Sequence, residues 1–284
     1  MNYILKYYYD IEKEATYNKN GNIYIRSKMQ DYIIKEIEDE YYIECISELI
    51  ERNNIKSKFY EIVKTKYNKN YVENQNKKYV LLKVMNNYSQ NILADKIEVR
   101  IDNNKYKYIN RNNWYFLWSN KNDNIQNIIK KIKTPMNEIF DYFIGIAENA
   151  ILYYNLSNLD EKKDLYISKK RIDIENNNNP LNIIIDRRER DVAEIIKYQY
   201  FNCENYESKL NIFVELSAKE NLSLELIFSR ILYPTIYFDI LESDNKQLLK
   251  QKKLLNKLLN YEKFLKQIYK KLSEHKMIKK IDWL

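Results

Sequence analysis

A single histidine, His275, stands near the end of this chain of 284 residues, and glycine occurs only at Gly21 and Gly145. Each scarcity closes a class of chemistry. One histidine argues against a Ser-His-Asp triad, a His-rich metal site and a histidine-containing catalytic loop, and His275 itself reads as a surface residue at a helix end. Two glycines cannot build a Walker loop or a dinucleotide fingerprint, since each needs several for backbone approach to phosphate. The two cysteines, Cys45 and Cys203, are too few for a disulfide framework and too far apart for a metal knuckle, so they read as reduced packing residues. No apolar run approaches the length of a membrane span, and the opening residues lack the basic start and long apolar core of a signal peptide. The expectation is a cytoplasmic protein without membrane insertion.

What is present supports a folded body. The chain is 45% hydrophobic and 14% aromatic, long enough for one large domain or two lobes. Lys, Asn, Ile and Tyr are in excess over Gly, Pro and Ala, the codon bias of an AT-rich genome, which lowers the weight of the formal charge of +8. The lysines are dispersed among acids and the 28 tyrosines are scattered likewise, so a basic nucleic-acid-binding module is the least favoured reading.

The chain is organised around residues 182–197. Ile183, Ile184 and Ile185 suit a short buried strand, while Val192, Ile195, Ile196 and Tyr200 recur at helical spacing. Between them Asp186-Arg-Arg-Glu-Arg-Asp191 is either a solvated turn or a site, and spacing alone leaves both open. Asp186 with Glu189 three residues on fits a helix N-cap with a capping box.

In chain order, an aromatic segment at 3–9 precedes a hairpin of Glu14–Tyr17 and Ile23–Arg26 about a turn containing Gly21. A third strand covers Asp31–Ile37, an amphipathic helix 39–53, and strands Phe59–Lys64 and Lys78–Val84 follow. That order matches a kinase-like amino-terminal lobe, in which Lys35 and Glu48 are candidates for a vestigial nucleotide-binding pair, a strand lysine for phosphate and a helix glutamate to hold it. Residues 86–113, with a strand at Lys96–Ile101, connect to the rest. Helices are expected from Trp114 to Pro135, with Trp114 and Trp118 stacked, and from Met136 to Tyr154, where Gly145 and Ala147 admit a close neighbour and Glu148 makes a structural hydrogen bond. After strand-like Asp164–Ile174, the remainder is helical: one helix through Leu210–Leu216, a run from Leu222 to Glu242 broken at Tyr233-Pro234, and one long helix through Leu248–Leu272. The apolar C-terminus with Trp283 is expected to dock on the body.

Trp118-Ser-Asn-Lys, Asp141-Tyr-Phe-Ile-Gly-Ile-Ala-Glu-Asn-Ala-Ile151, Pro180–Lys197, Leu232-Tyr-Pro and Ile281-Asp-Trp-Leu284 resemble the endospore coat-associated proteins of bacilli and clostridia. That family is similar to aminoglycoside and choline phosphotransferases. The motifs cover residues 114–284; the first 113 residues agree in element order only. The resemblance implies an α+β, two-lobed, protein kinase-like fold, with a small mixed β lobe at 1–113 and a helical lobe at 114–284. It assigns Arg190 and Asp191 to a motif that braces the catalytic loop, with Asp186 beside them. It also exposes departures. Where active relatives carry the loop histidine and aspartate, this chain has Ile167-Ser-Lys-Lys-Arg-Ile172, and the magnesium turn falls among Asn176–Asn182, asparagine being a poor ligand for Mg²⁺. The resulting expectation is a catalytically inactive kinase-like protein without catalytic or metal residues or cofactor, working through protein partners such as spore coat components, at the spore coat if the host sporulates. The alternative is an active small-molecule phosphotransferase using ATP and Mg²⁺, with Lys35 on phosphate and Asp173 or Asp186 as carboxylate.

Overall fold

The computed structural model describes residues 2–19, 22–55, 59–85, 106–131, 137–157, 165–172, 178–203, 206–242, 252–275 and 278–281. The expected strand at Lys96–Ile101, the turn residue Gly21, Asp173 and Trp283 lie outside them. The chain divides into two compact units, Met1–Asn110 with Tyr166–Ile185, and Arg111–Leu165 with Asp186–Leu284.

The first unit is built on an antiparallel sheet. Helix α1 (Asn2–Tyr9) precedes β1 (Ala15–Lys19), β2 (Asn22–Ser27) and β3 (Gln30–Ile37), then α2 (Glu40–Arg52), β4 (Glu61–Ile62), β5 (Val72–Asn74) and β6 (Lys77–Lys83). Strand order is β1-β2-β3-β6-β4, with β5 also on β6. The expected hairpin, third strand and amphipathic helix are all present. Between β5 and β6, Gln75 and Asn76 both take positive φ, 53° and 60°, the backbone twist that a two-residue hairpin turn requires. Strand periodicity sorts the core. Ile33, Val80 and Leu82 pack with Ile43 of α2 on one face, and Ile25, Leu81 and Val72 pack with Ile4 and Leu5 of α1 on the other.

Residues 166–185 belong to this unit, although sequence order places them after residue 113. Strands β7 (Tyr166–Lys169) and β8 (Ile183–Asp186) pair with each other. Backbone groups tie them in: the Ile185 amide donates to the Ile109 carbonyl at 2.8 Å, and the Tyr60 amide to Asn178 at 2.8 Å. The Tyr42 hydroxyl of α2 lies 2.9 Å from both the Leu181 and Ile183 carbonyls. Such groups need partners once buried, and these supply them.

The second unit is helical: α3 (Trp114–Lys131), α4 (Asn137–Ser157), α5 (Arg188–Asn202), α6 (Tyr206–Lys219), α7 (Leu224–Leu232), α8 (Thr235–Glu242), α9 (Lys252–Leu259) and α10 (Tyr261–His275). Pro234 separates α7 from α8 as expected, since it offers no backbone donor. Of the single long helix expected through Leu248–Leu272, Leu248 lies outside the described residues and the described part forms two helices. At the join, the Asn256 carbonyl accepts both the Asn260 amide at 3.1 Å and the Asn260 side-chain amide at 2.8 Å. Aromatic packing fills the core: Trp114 and Trp118 rings stack at 5.4 Å, and Trp118 stacks on Tyr233 at 4.6 Å. Each buried aromatic contributes about 4–6 kcal/mol of hydrophobic stabilisation. The C-terminal segment docks as expected up to Ile281: Ile278 is buried, and the Tyr153 hydroxyl donates to the Lys279 carbonyl at 3.1 Å. Gly145 sits inside α4, where glycine costs about 1 kcal/mol relative to alanine. Glu148 is exposed on α4, because it lies on the helix face opposite buried Phe143, Ala147 and Ala150.

Candidate functional site

In the first unit, Lys35 lies opposite Val80 in the β3–β6 ladder and so shares the face that packs against α2. Burial lowers its ammonium pKa below the ordinary lysine value. Glu48 is half-buried in α2.

The segment following β7 is fastened by one side chain. Asn182, itself buried, accepts the Arg171 amide through Oδ1 at 2.8 Å and donates through Nδ2 to the Arg171 carbonyl at 2.7 Å. Its backbone carbonyl accepts the Lys170 amide at 2.6 Å. Two side-chain bonds and one backbone bond fix the turn Lys169-Lys170-Arg171.

In the second unit, the charge cluster is buried. Asp186 has no solvent exposure, and Arg187, Arg188, Arg190 and Asp191 are all under a tenth exposed. The Trp114 indole N–H donates to Asp186 Oδ1 at 2.9 Å, the Arg187 amide donates to the same oxygen at 2.8 Å, and Arg190 Nε lies 3.1 Å from Oδ2. The Arg190 contact is an ion pair without hydrogen-bond alignment, since Oδ2 has no hydrogen-bond donor. Burial pushes the Asp186 carboxyl up to about 6, against the pull of Arg190 and Arg230.

From Asp186 a ladder of alternating sign continues along one face of α5. Glu194 Oε1 receives Arg230 Nε of α7 at 2.8 Å and lies 3.4 Å from Lys197 Nζ. Lys197 Nζ donates to the Arg230 carbonyl at 2.9 Å, the Tyr233 carbonyl at 3.2 Å and Thr235 Oγ1 at 3.0 Å, which joins α7 to α8. Burial, with Arg230 and Arg190 adding repulsion, lowers the Lys197 ammonium to about 8. Arg230 also lies 5.5 Å from the Trp114 and Trp118 rings, within cation–π range.

Of the two readings of the charge run, the solvated turn is therefore overturned. The residue capping α5 is Arg187, without a side-chain cap bond. Asp186 is instead the last residue of β8, and Glu189 does not close a capping box: its Oε1 accepts the Ser223 amide at 3.2 Å. Asp191 lies buried in the first turn of α5, with Arg188 Nη1 3.8 Å from Oδ2. Sequence reasoning missed Asn182, Glu194, Lys197 and Arg230 as structural partners. The spacing 186, 190, 194, 197 with signs alternating was a visible signal for Glu194 and Lys197; Arg230 comes from another helix and had none.

No group of three or more His, Cys, Asp or Glu side chains among the described residues is placed to hold a metal ion. Among the described residues no helix is long and apolar enough to cross a membrane.

Comparison with solved structures fixes the fold. An aminoglycoside phosphotransferase from Alicyclobacillus acidocaldarius superposes with a TM-score of 0.62 at 11% identity, covering 94% of each chain. An AMP-bound spectinomycin phosphotransferase gives 0.61 at 14% identity over 97% of this chain and 98% of that one. The chain has the two-lobed, protein kinase-like α+β fold of these proteins, with a small sheet-based lobe and a larger helical one. Endospore coat-associated protein YutH of Bacillus subtilis is 26% identical over 209 residues, a match spanning 60% of this chain and 60% of that protein's length. A family model described as "Spore coat putative kinase YutH" matches residues 2–278, and the chain belongs to that family.

Proposed function

We propose that this chain is a kinase-fold protein of the endospore coat that transfers no phosphate and works by binding other proteins. The observation that carries the reading is that Asn182 clamps the turn Lys169-Lys170-Arg171, a run of three cations where the resemblance to active phosphotransferases leads one to expect a loop carboxylate. The carboxylate nearest in sequence among the described residues, Asp186, is engaged by Trp114, Arg187 and Arg190. A carboxylate buried among an indole, a backbone amide and a guanidinium serves here to brace structure. The coat placement draws on the B. subtilis relative, which is named for that association.

One observation favours a second reading, an active small-molecule phosphotransferase: Lys35 is partly desolvated on β3, as a phosphate-binding lysine would be. A titration with ATP and Mg²⁺ separates the two. A nucleotide at a hundredfold excess over its Kd would raise stability by about 2.7 kcal/mol. The proposal expects no such rise at millimolar ATP. Magnesium-dependent stabilisation that disappears in Lys35→Ala would sink it. A fluorescent fusion that stays diffuse through sporulation of its host would sink the coat placement.

A further inference from the structure

Helix α4 packs inward through Phe140, Phe143, Ala147, Ala150 and Tyr154, all buried. Its outward face is not an ordinary solvated one. Leu152 is 60% exposed, Leu156 56% and Tyr142 37%, and they follow one another at helical spacing with Gly145 between. Asp141 and Glu148 flank the stripe and are exposed. The helix contains acids but no Lys or Arg, in a chain where 48 of 284 residues are basic. Gly145 adds an independent fact. A Cβ built there would meet nothing within 4 Å, so no neighbour among the described residues requires the missing side chain. A glycine that weakens its helix, with no close approach among the described residues to explain it, leaves room for a backbone from outside.

We infer that this face docks a basic amphipathic helix of a partner protein. Apolar side chains of the partner cover Leu152 and Leu156, its backbone crosses at Gly145, and its Lys or Arg residues meet Asp141 and Glu148. Charge decides between occupants: a second copy of α4 on the same face would set Asp141 and Glu148 against like charges with no basic residue of α4 to relieve them, the exposed Lys279 reaching α4 at the Leu156 carbonyl, at the far end of the helix. The inference goes beyond the proposed function, because a phosphotransferase with this α4 would dock the same helix. The peptide and nucleotide titrations therefore fail separately.

The test is fluorescence anisotropy with two labelled synthetic helices of the same apolar pattern, one with Lys and one with Glu at its polar positions. The Lys peptide should bind the full chain although both carry positive charge, and the Glu peptide should not. Gly145→Gln fills the open space and should weaken binding by about tenfold or more, while its urea midpoint holds or rises because glutamine is the better helix former. The double variant Asp141→Lys, Glu148→Lys changes only exposed positions and should exchange the preference to the Glu peptide, so the inference remains testable should Gly145→Gln fold poorly. No binding of the Lys peptide, equal affinity in wild type and variants, or binding of the Glu peptide to wild type would each overturn it. Self-association of the free chain that Gly145→Gln abolishes would overturn it too, by making the occupant a second copy.

Discussion

A carboxylate without solvent exposure depends on its neighbours, and Asp186 is held by Trp114, the Arg187 amide and Arg190. Burial still outweighs them and raises its pKa from 3.8 to about 6. The folded state thus binds this proton more tightly than the unfolded chain does. Stability from protonation is full below 3.8 and is lost as pH rises through about 6, by about 3 kcal/mol at most. Urea midpoints measured across that window should fall with pH in wild type more steeply than in Asp186→Asn. Parallel profiles in the two proteins would show that the dependence belongs to another group. The carboxylate was visible in the sequence, but its environment was not, because the indole that reaches it comes from residue 114.

Helix α5 shows why charge patterns are harder to read than apolar ones. Val192, Ile195, Ile196 and Tyr200 marked it as a helix, and α2, α3, α4 and the break at Pro234 were legible by the same periodicity. Periodicity says which residues share a face; it does not say that a charged face is covered. Here the face is covered by α7, and Lys197 exchanges water for three oxygens at the α7–α8 junction. Removing one member of a buried charge network leaves the others uncompensated. Lys197→Met is therefore expected to cost about 3–5 kcal/mol, whereas Lys266→Met, which removes the exposed Lys266–Glu262 pair of α10, should cost about 0–1 kcal/mol. Chemical denaturation of the two variants decides it, and comparable losses would refute the ladder's importance. The α9–α10 break escaped notice for the opposite reason: the leucine pattern runs straight through Asn260, and so do the backbone bonds to the Asn256 carbonyl and from the Phe264 amide.

For the molecule as a whole, the hydrophobic pattern located most elements but not how the chain distributes them between its two units. The sequence boundary expected at 113 lies close to the first crossing at 110, yet residues 166–185 return to the first unit. Nothing in their composition announced it, since a short strand carries no address; the bonds of Ile185 to Ile109 and of Tyr60 to Asn178 supply one. Native-state hydrogen exchange should find the amides of β7 and β8 opening together with β3 and β6 rather than with α4 and α5. Exchange of β8 in step with α5 would contradict the division.

That return has a consequence for synthesis. A ribosome making this chain releases α1 through β6 long before residues 166–185 exist, and must then produce α3 and α4 of the other unit before the first can be finished. During that interval the Tyr42 hydroxyl and the Tyr60 amide lack the carbonyls they hold in the native state, and Ile109 lacks its strand neighbour. The amino-terminal lobe is thus begun first yet stays incomplete until residue 185, and cutting the gene after codon 113 removes pieces of the lobe it was meant to isolate.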